Sequence, residues 1–435
     1  DPQGGRPAGR ATRRAVLTTG GGRPIATHMR RLLFALAASV PVVAALAPTS
    51  AQAAGPPTLG QQVLDAIGGS GAAARSAVVD VDGLGRIASL NATGLLPPAS
   101  TEKLYTGGAA LLRLGPTTRL HTLVRRTGPI NGATGVLEGS LVLVARGDPN
   151  LTGAGLDDLA AQAAAAGVRR VAGNIIVNDA HFDRARNAPG WKAGWVPGES
   201  GPLSAFALDG NRWSPAAGFL ANPNLANGDR FREALSRAGI SVDGRTRVSA
   251  TRWDDPVVAA HDSATVAEIV RNTLKNSDNF AAELLLKEVG VRAAKPTTAG
   301  GVSAVRRLAI RMGVPIGGRM VDGSGLSSLD QSRAADQVAW LEAMARSNIA
   351  GPFRDALPVA CVDGTLDTRM CGTAAAGRVQ AKTGTLPGVV ALSGYTTTLT
   401  GRQVTFSFLL AGAGDTNKAR TAIDKAVVAL ASYRG

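Results

Sequence analysis

A serine and a lysine stand three residues apart where a helix is predicted to begin. Ser100 and Lys103 then share one helix face, because positions i and i+3 lie side by side. A serine hydroxyl is a weak nucleophile, and a lysine amine can activate it when burial or a neighbouring cation lowers the pKa of the amine. Lys382 is the candidate for that cation. The pair predicts a nucleophilic serine whose proton is taken by the lysine.

Two other motifs supply the remaining groups that such a reaction needs. Ser277 and Asn279 flank Asp278 and offer a hydroxyl that can relay a proton to a leaving amine and an amide that can hold a substrate carbonyl. The run Lys382-Thr383-Gly384-Thr385 offers a cation and hydroxyls to a carboxylate, a glycine that permits close approach of a substrate backbone, and a backbone N–H for an oxyanion.

Each motif alone has an ordinary structural explanation. A serine often caps a helix, a lysine three residues later is often solvated, and the other two runs are common in loops and at strand ends. Their joint occurrence, in this order and each in a suitable element, favours a single active site.

The elements that must position these motifs follow from the periodicity of apolar residues. The pattern predicts a hairpin over 76–91, helices over 100–114, 264–275, 280–289, 302–312 and 416–432, and strands over 378–382, 389–397 and 403–410. Between 119 and 251 it predicts short strands, including 139–144 and 171–177, and helices over 156–166 and 230–238. Strands at both ends with helices between them indicate an α/β domain interrupted by an insertion.

Composition excludes several classes of protein. The chain has 435 residues, of which 45% are hydrophobic and 18% charged, which excludes a disordered chain. The 54 glycines follow no three-residue period, and no apolar run reaches 18 residues, so collagen and a multi-span membrane protein are excluded. The net charge of +15 comes from scattered arginines, and aromatic residues make up 4%, so nucleic-acid binding has no support.

The N-terminal part has the pattern of an export signal. Met29-Arg30-Arg31 precedes an apolar stretch over 32–46 and then Ala51-Gln52-Ala53, which has the small-x-small form of a cleavage site. This predicts a secretory signal over 29–53 and a Gly- and Arg-rich extension over 1–28. A membrane anchor is the alternative, disfavoured because the stretch is short for a span. We expect an exported protein, extracellular or associated with the cell envelope, with no membrane span after cleavage.

Cysteines and histidines are few. Cys361 and Cys371 lie ten residues apart and can close a small loop in an oxidising compartment, with two free thiols as the alternative. The four histidines show no metal-binding spacing. We therefore expect no metal and no cofactor.

Seven motifs together resemble those of a known family, the class C low-molecular-mass penicillin-binding proteins, which are serine D-alanyl-D-alanine carboxypeptidases and endopeptidases of peptidoglycan. The resemblance runs from about Gln61 to the C-terminus and rests on residues 98–103, 147–149, 188–191, 277–279, 322–327, 363–366 and 382–386.

This resemblance implies a penicillin-recognising serine transpeptidase/β-lactamase-like fold with an inserted, mostly β accessory domain. The expected parts are 54–118 and 256–435 for the transpeptidase-like domain and 119–255 for the insertion. The family implies peptidoglycan stem peptides as substrates and β-lactams as covalent inhibitors. It also implies roles: Ser100 is acylated, Lys103 is its base, Ser277 and Asn279 assist, Lys382, Thr383 and Thr385 hold the terminal carboxylate, and the N–H groups of Ser100 and Thr385 form the oxyanion hole.

The chain departs from the family pattern at two places. The stretch between Ser100 and Ser277 is shorter than usual, which predicts a trimmed or absent inserted subdomain. Ser328 stands where many relatives have an arginine that helps bind the polar end of the stem. Asp148 is still expected to bind the ammonium of a diamino-acid stem.

Two alternatives remain open from the sequence. A class A-like β-lactamase shares the three motifs, but no Glu-x-x-Leu-Asn segment occurs between Asn279 and Lys382. A penicillin-sensing or wall-binding module would be acylated without turnover and would normally be tethered to a membrane-spanning helix.

Overall fold

A computed structural model describes residues 57–212, 221–251, 254–294, 296–314 and 316–435. The predicted signal over 29–53 and the extension before it lie outside the described residues. No helix in the described part is both long enough and apolar enough to cross a membrane.

The N- and C-terminal parts of the described chain form one antiparallel sheet with the strand order β11-β12-β13-β1-β2. Its strands are β1 Ala72–Val81, β2 Gly85–Leu90, β11 Gln380–Leu386, β12 Val389–Thr397 and β13 Gln403–Ala413. Strand β1 pairs with β13 with Ala77 opposite Phe408. The predicted hairpin and C-terminal strands are confirmed, although the strand predicted over 378–382 covers β11 only in part.

Helices cover both faces of this sheet. On one face lie α1 Leu59–Gly68 and the C-terminal helix Thr416–Ala431, whose Ile67, Ile423 and Val427 pack against Phe406 and Phe408. The opposite face packs through Leu409 against Val338 of the helix Ala334–Ala345. Strand β12 is consequently buried along nearly its whole length, as expected for a strand with helices on both sides.

The helical part packs around α2 Lys103–Leu114, which follows a single 3₁₀ turn over Ala99–Glu102. Its neighbours are the helices Val266–Lys275, Asn279–Val291, Thr298–Arg311, Ala334–Ala345 and Ala350–Asp355. Leu104, Tyr105 and Leu111 of α2 share a core with Val270, Leu285 and Trp340. Burial on several sides explains why α2 has apolar or small residues nearly all round.

The insertion has two sheets of its own. A five-stranded sheet has the order β10-β3-β5-β7-β9 and a three-stranded sheet the order β4-β6-β8. The strands are β3 Arg119–Arg126, β4 Val136–Leu137, β5 Leu141–Ala145, β6 Arg170–Val171, β7 Ile175–Asn178, β8 Ser241–Val242, β9 Thr246–Ser249 and β10 Val257–Thr265. Strand β10 lies beyond the expected end of the insertion at 255, yet it pairs with β3.

Two of the helices in the insertion lie where the sequence predicts helices, and the short helix Trp195–Gly198 and a 3₁₀ turn over Asp209–Asn211 lie between them. Helices Gly153–Ala165 and Pro223–Arg237 connect the parallel pairs β5–β7 and β7–β9, since parallel neighbours need a crossover connection. The second helix starts seven residues before the predicted 230, where the Asn222 side chain caps Leu225 N. The strand predicted over 171–177 is two strands, because the chain passes there from one sheet to the other.

Candidate active site

The predicted nucleophile stands on the 3₁₀ turn that leads into α2, and the predicted base is the first residue of that helix. Lys103 Nζ lies 2.9 Å from Ser100 Oγ, 2.6 Å from Asn279 Oδ1 and 2.7 Å from the Ser324 carbonyl oxygen. Three acceptors therefore fix the amine beside the hydroxyl. The predicted meeting of Ser100 and Lys103 is confirmed in the structure.

Burial makes Lys103 a better base than a solvated lysine. The residue is 0% exposed, and burial lowers its pKa to about 8 against the opposing charges of Asp322, Asp278, Glu283 and Glu199, which raise it. A substantial fraction of the amine is therefore neutral near pH 8. Desolvation, more than a second cation, is the main cause of the lowered pKa.

Ser277 lies in the turn between the helices Val266–Lys275 and Asn279–Val291, and Asn279 is the first residue of the second helix. Ser277 has a positive φ of 56°, which turns the chain sharply, and the Asp278 side chain caps the second helix by accepting from Ala281 N at 3.0 Å. The amide of Asn279 is oriented from both ends, since Oδ1 accepts from Lys103 and Nδ2 donates to the Glu199 carbonyl at 3.2 Å.

The third motif forms the middle of β11, beside the nucleophile. Lys382 is fully buried, and its Nζ donates to the Thr383 carbonyl at 2.9 Å. Burial first, and then the charge of Lys103, hold the pKa of Lys382 well below its ordinary value. Thr383 Oγ1 lies 2.7 Å from Thr365 Oγ1. The Lys382 amine therefore lies beneath the cavity wall, 3.4 Å from Thr383 Oγ1, while the hydroxyls of Thr383 and Thr385 face the cavity.

Gly384 has a packing role that the sequence analysis did not foresee. A Cβ at this position would lie 2.7 Å from the carbonyl oxygen of Pro98. Only glycine lets β11 lie against the segment that leads into Ser100.

The three motifs line one cavity of about 550 Å³. Its wall contains Ser100, Ser277, Asn279, Thr383 and Thr385 from the predicted set. It also contains residues that the sequence analysis did not name as site residues: Trp195, Glu199, Leu326, Thr365, Leu386, Pro387 and Thr416. A larger cavity of about 670 Å³ lies between Asp80 and Arg354 and contains none of the motif residues.

A buried loop behind the cavity holds the lysine from the other side. Asp322 accepts hydrogen bonds from Gly325 N at 2.7 Å, Ser327 N at 2.8 Å and Trp191 Nε1 at 2.9 Å. Glu283 Oε1 accepts from Gly323 N and Ser324 N at 2.9 Å each, and burial raises the pKa of Glu283 to about 8. This loop presents the Ser324 carbonyl to Lys103. Residues 322–327 of this loop match a motif of the family, but their role could not be predicted from the sequence.

Lys103, Lys382 and Gly384 lie directly behind residues of the cavity wall, whereas Asp148 is a predicted site residue that contacts none of the other motif residues. Its side chain is 2% exposed, and Oδ1 accepts from Asn150 N at 2.9 Å. Burial raises the pKa of this carboxyl group, and His261 Nε2 lies 3.9 Å from Oδ2. Its neighbour Pro149 lines a second cavity of about 480 Å³.

Cys361 and Cys371 form a disulfide, so the free-thiol alternative does not apply to this structure. The loop between them contains the 3₁₀ turn Gly364–Leu366. Because Thr365 on that turn contacts Thr383, the disulfide loop borders the catalytic cavity.

Comparisons with known proteins identify the family of this chain. The model of the D-Ala-D-Ala carboxypeptidase 3 (S13) family matches residues 61–218 and 217–433. A D-alanyl-D-alanine carboxypeptidase of Actinomadura sp. strain R39 is 31% identical over 423 residues, covering 78% of each chain. Carboxypeptidase DacB of Mycolicibacterium smegmatis is 32% identical over 355 residues, covering 78% of this chain and 75% of the relative.

The fold is also found among solved structures. Penicillin binding protein 4 of Haemophilus influenzae superposes with a TM-score of 0.76 at 22% identity, covering 83% of this chain and 97% of that one. The family match covers the insertion and the chain segments on both sides of it that form the sheet with β11. This match excludes the two alternatives left open by the sequence, a class A-like β-lactamase and a non-catalytic module. The chain, in which a cavity-lining serine contacts a buried lysine, belongs to the D-Ala-D-Ala carboxypeptidase (S13) family and is a serine-type D-Ala-D-Ala carboxypeptidase.

Proposed function

We propose that this carboxypeptidase removes the terminal D-alanine of peptidoglycan stem peptides through an acyl-enzyme on Ser100. The observation that carries the proposal is the contact of 2.9 Å between Ser100 Oγ and the buried Lys103 Nζ. The lowered pKa of Lys103 supports it, because the amine must be neutral to take the hydroxyl proton.

The first half-reaction uses the residues of the cavity in turn. Lys103 takes the proton of Ser100, whose oxygen attacks the carbonyl carbon of the penultimate D-alanine. The backbone N–H groups of Ser100 and Thr385 stabilise the oxyanion. The proton held by Lys103 reaches the departing nitrogen through the Ser277 hydroxyl, which receives one proton as it gives one; the C–N bond breaks, free D-alanine leaves, and Lys103 is neutral again. Lys103 then takes a proton from the water that attacks the ester and returns it to Ser100 Oγ as the ester C–O bond breaks, which restores the serine and releases the shortened peptide.

Recognition of the substrate's terminal carboxylate falls to the hydroxyls of Thr383 and Thr385, which line the cavity. Lys382 does not line the cavity, because its amine is buried and donates to the Thr383 carbonyl. It therefore influences the carboxylate through Thr383, whose position it fixes. Asn279 is placed to hold the peptide bond on the other side of the attacked carbonyl.

β-Lactams should acylate the same serine. In them the attacked amide is part of a ring, so opening it leaves an ester on Ser100 with the leaving group still attached. A solved structure of the Haemophilus influenzae protein contains a β-lactam, which supports this assignment by analogy of fold. Substitution of Ser100 by alanine should abolish covalent labelling with a fluorescent penicillin. Labelling that persists in Ser100→Ala would remove Ser100 as the nucleophile, and mass mapping of the labelled peptide would identify its replacement.

The same chemistry can cut a cross-link between two stems, because that bond also follows a D-alanine carbonyl. We propose carboxypeptidase action as the main activity and endopeptidase action as a second one. Incubation with intact cross-linked wall fragments, followed by mass spectrometry, separates them: the first releases D-alanine and the second converts dimers to monomers. Conversion of dimers without release of D-alanine from monomers would reverse the ranking.

Export to the compartment that holds peptidoglycan is part of the proposal. It rests on the signal-like pattern over 29–53, and it suits a protein with a disulfide.

A further inference from the structure

We propose that the larger cavity, between Asp80 and Arg354, is a second binding site, which takes an amino acid or short peptide in zwitterionic form. The carboxylate of this ligand meets Arg354 and its ammonium meets Asp82. The proposal rests on the proposed function only for the source of the ligand, because removal of a terminal D-alanine yields free D-alanine, a zwitterion, and a stem that ends in a new carboxylate.

The larger cavity lies at the end of the central sheet that is remote from the catalytic cavity. Its wall contains residues of the turn over 81–85 and Gln403, the first residue of β13. The catalytic cavity contains Pro387, which precedes β12, and Ala411 of β13 lies opposite Val389 at the start of β12. From Gln403 to Ala411, β13 rises over eight residues, which span about 27 Å. A ligand in the larger cavity therefore leaves the catalytic cavity open.

The charges around the larger cavity are balanced in number but not all paired. Three acids and three arginines line it: Asp80, Asp82, Glu342, Arg86, Arg346 and Arg354. Arg86 binds both carboxylate oxygens of Asp80, at 2.8 and 2.9 Å, and Arg346 lies 3.8 Å from Glu342. Arg354 and Asp82 form no ion pair with any residue that the structure describes. One unpaired charge of each sign favours a ligand that carries both.

Arg354 is held so that part of its guanidinium group stays available. Its Cζ lies 4.2 Å from the ring centroid of Tyr395, and Nη1 and Nη2 both donate to Gln403 Oε1 at 3.3 Å. The Nε–H donates to no acceptor in the described chain. Because Nε and one Nη present two parallel N–H groups, this edge of the guanidinium fits the two oxygens of a carboxylate.

Asp82 is fixed by its backbone and free at its side chain. Its N–H donates to the Gln403 carbonyl at 2.8 Å, and its own carbonyl accepts from Arg402 Nη1 at 3.2 Å. The carboxylate is exposed and accepts no hydrogen bond from the described residues. Since Asp82 and Arg354 both bond to Gln403, the two unpaired charges lie side by side, within reach of one small ligand.

A simple anion is a poorer fit for the larger cavity. Three carboxylates surround the same space as the three guanidinium groups, so a phosphate on Arg354 would gain one cation and meet Asp82 as well. A zwitterion places its positive end against Asp82 and avoids that repulsion. The volume of about 670 Å³ has room for either product of the proposed reaction.

The test measures binding to the full-length protein after acylation by penicillin G, which blocks the catalytic cavity. Isothermal titration calorimetry with Nα-acetyl-L-Lys-D-Ala, which has one ammonium and one carboxylate, should show one remaining site. Loss of one charge-assisted hydrogen bond should weaken binding about tenfold. We expect that loss both for the Nα,Nε-diacetyl peptide, which lacks the ammonium, and for the C-terminal amide, which lacks the carboxylate. Tighter binding of D-alanine than of this peptide would assign the site to the free amino acid.

Substitutions assign each contact to its residue. Arg354→Gln should weaken binding of Nα-acetyl-L-Lys-D-Ala about tenfold and leave binding of the amide unchanged. Asp82→Asn should weaken it equally and leave binding of the diacetyl peptide unchanged. Because Asp82 lies on an exposed turn, its variant keeps the test valid if Arg354→Gln does not fold. Arg311→Gln is the matched control, since it removes an exposed arginine that does not line the cavity.

Three results would each overturn the proposal: no binding of either D-alanine or Nα-acetyl-L-Lys-D-Ala, equal affinity for the charged and blocked peptides, or binding that survives Asp82→Asn. Inorganic phosphate that binds as tightly as the peptide would make the cavity a plain anion site and also refute it. Failure of the proposed reaction is seen separately, as the absence of a penicillin adduct in the mass spectrum. In that case the dependence of peptide binding on Asp82 and Arg354 still decides whether the second site exists.

Discussion

At the scale of single residues, the site depends on a lysine that burial makes less basic. Lys103 shares a pocket with carboxyl groups that are themselves buried, such as Glu102 and Glu283, and burial raises the pKa of both. Neutral carboxyl groups stabilise the charged form of the Lys103 amine less than carboxylates would. This environment therefore lets Lys103 lose its proton near pH 8.

The pH dependence of acylation follows from that pKa. Below about pH 8 Lys103 is mostly protonated and cannot take the Ser100 proton, so acylation by penicillin should rise with pH through this value and then level off. Lys103→Ala should lower the rate by about a hundredfold or more and remove the rising limb. Stopped-flow acylation rates between pH 6 and 10 measure both.

Glu283 titrates in the same range, so Glu283→Gln is the control for this assignment. In that variant the acylation rate should still rise with pH. The pH at the midpoint of the rise should be unchanged or lower, because one negative charge near Lys103 is gone. Loss of the limb in Glu283→Gln would assign it to the glutamate instead.

At the scale of elements, the nucleophile is held by strand and loop contacts that leave no room for larger residues. Strand β11 packs against the segment before Ser100 at Gly384. The buried loop over residues 322–327 packs against the same segment at Gly325, where a Cβ would lie 1.9 Å from the Ala99 carbonyl oxygen. These contacts decide where Ser100 lies relative to Thr383 and Thr385.

Gly384→Ala should therefore disturb both stability and catalysis. The added methyl group would stand 2.7 Å from the Pro98 oxygen, and relief of that overlap should cost about 1–3 kcal/mol and slow acylation. Gly68→Ala is the matched control, since a Cβ there meets nothing within 4 Å. Equal effects of the two substitutions on denaturant unfolding and labelling would contradict the packing argument.

The disulfide has a separate effect on its loop. Replacement of Cys361 and Cys371 by serine should lower the free energy of unfolding by about 3 kcal/mol, because the unfolded chain regains the freedom of the closed loop. Thr365 lies in that loop and contacts Thr383, so penicillin acylation should slow as well. Guanidinium unfolding and labelling rates measure the two effects, and an unchanged midpoint would refute the first.

At the scale of the whole molecule, the described fold begins at α1, whose Leu59 follows the predicted signal by a few residues. Cleavage after Ala53 would leave every described element intact. N-terminal sequencing of the protein recovered outside the producing cell should therefore start at or near Ala54. Recovery of an exported protein that retains residues 29–53 would contradict the signal assignment and favour an anchor.

The sequence by itself determined the chemistry and most of the elements. Ser100, Lys103, Ser277, Asn279 and the Lys382 run could be picked out because each motif is short and local. Most helices and strands could be predicted because apolar periodicity reports local structure. The boundary near 255 and the strand over 171–177 differ from the structure because strand pairing, which is not local, decides to which sheet a residue belongs.

Only the tertiary structure decided which groups meet and which are buried. Lys103 contacts Asn279 across 176 residues and Ser324 across 221, and no local pattern encodes such distances. No local pattern predicts either that Glu199 lies on the cavity wall or that Asp148 is buried. The physical reason is that a side chain's exposure and pKa depend on neighbours that packing brings from distant parts of the chain.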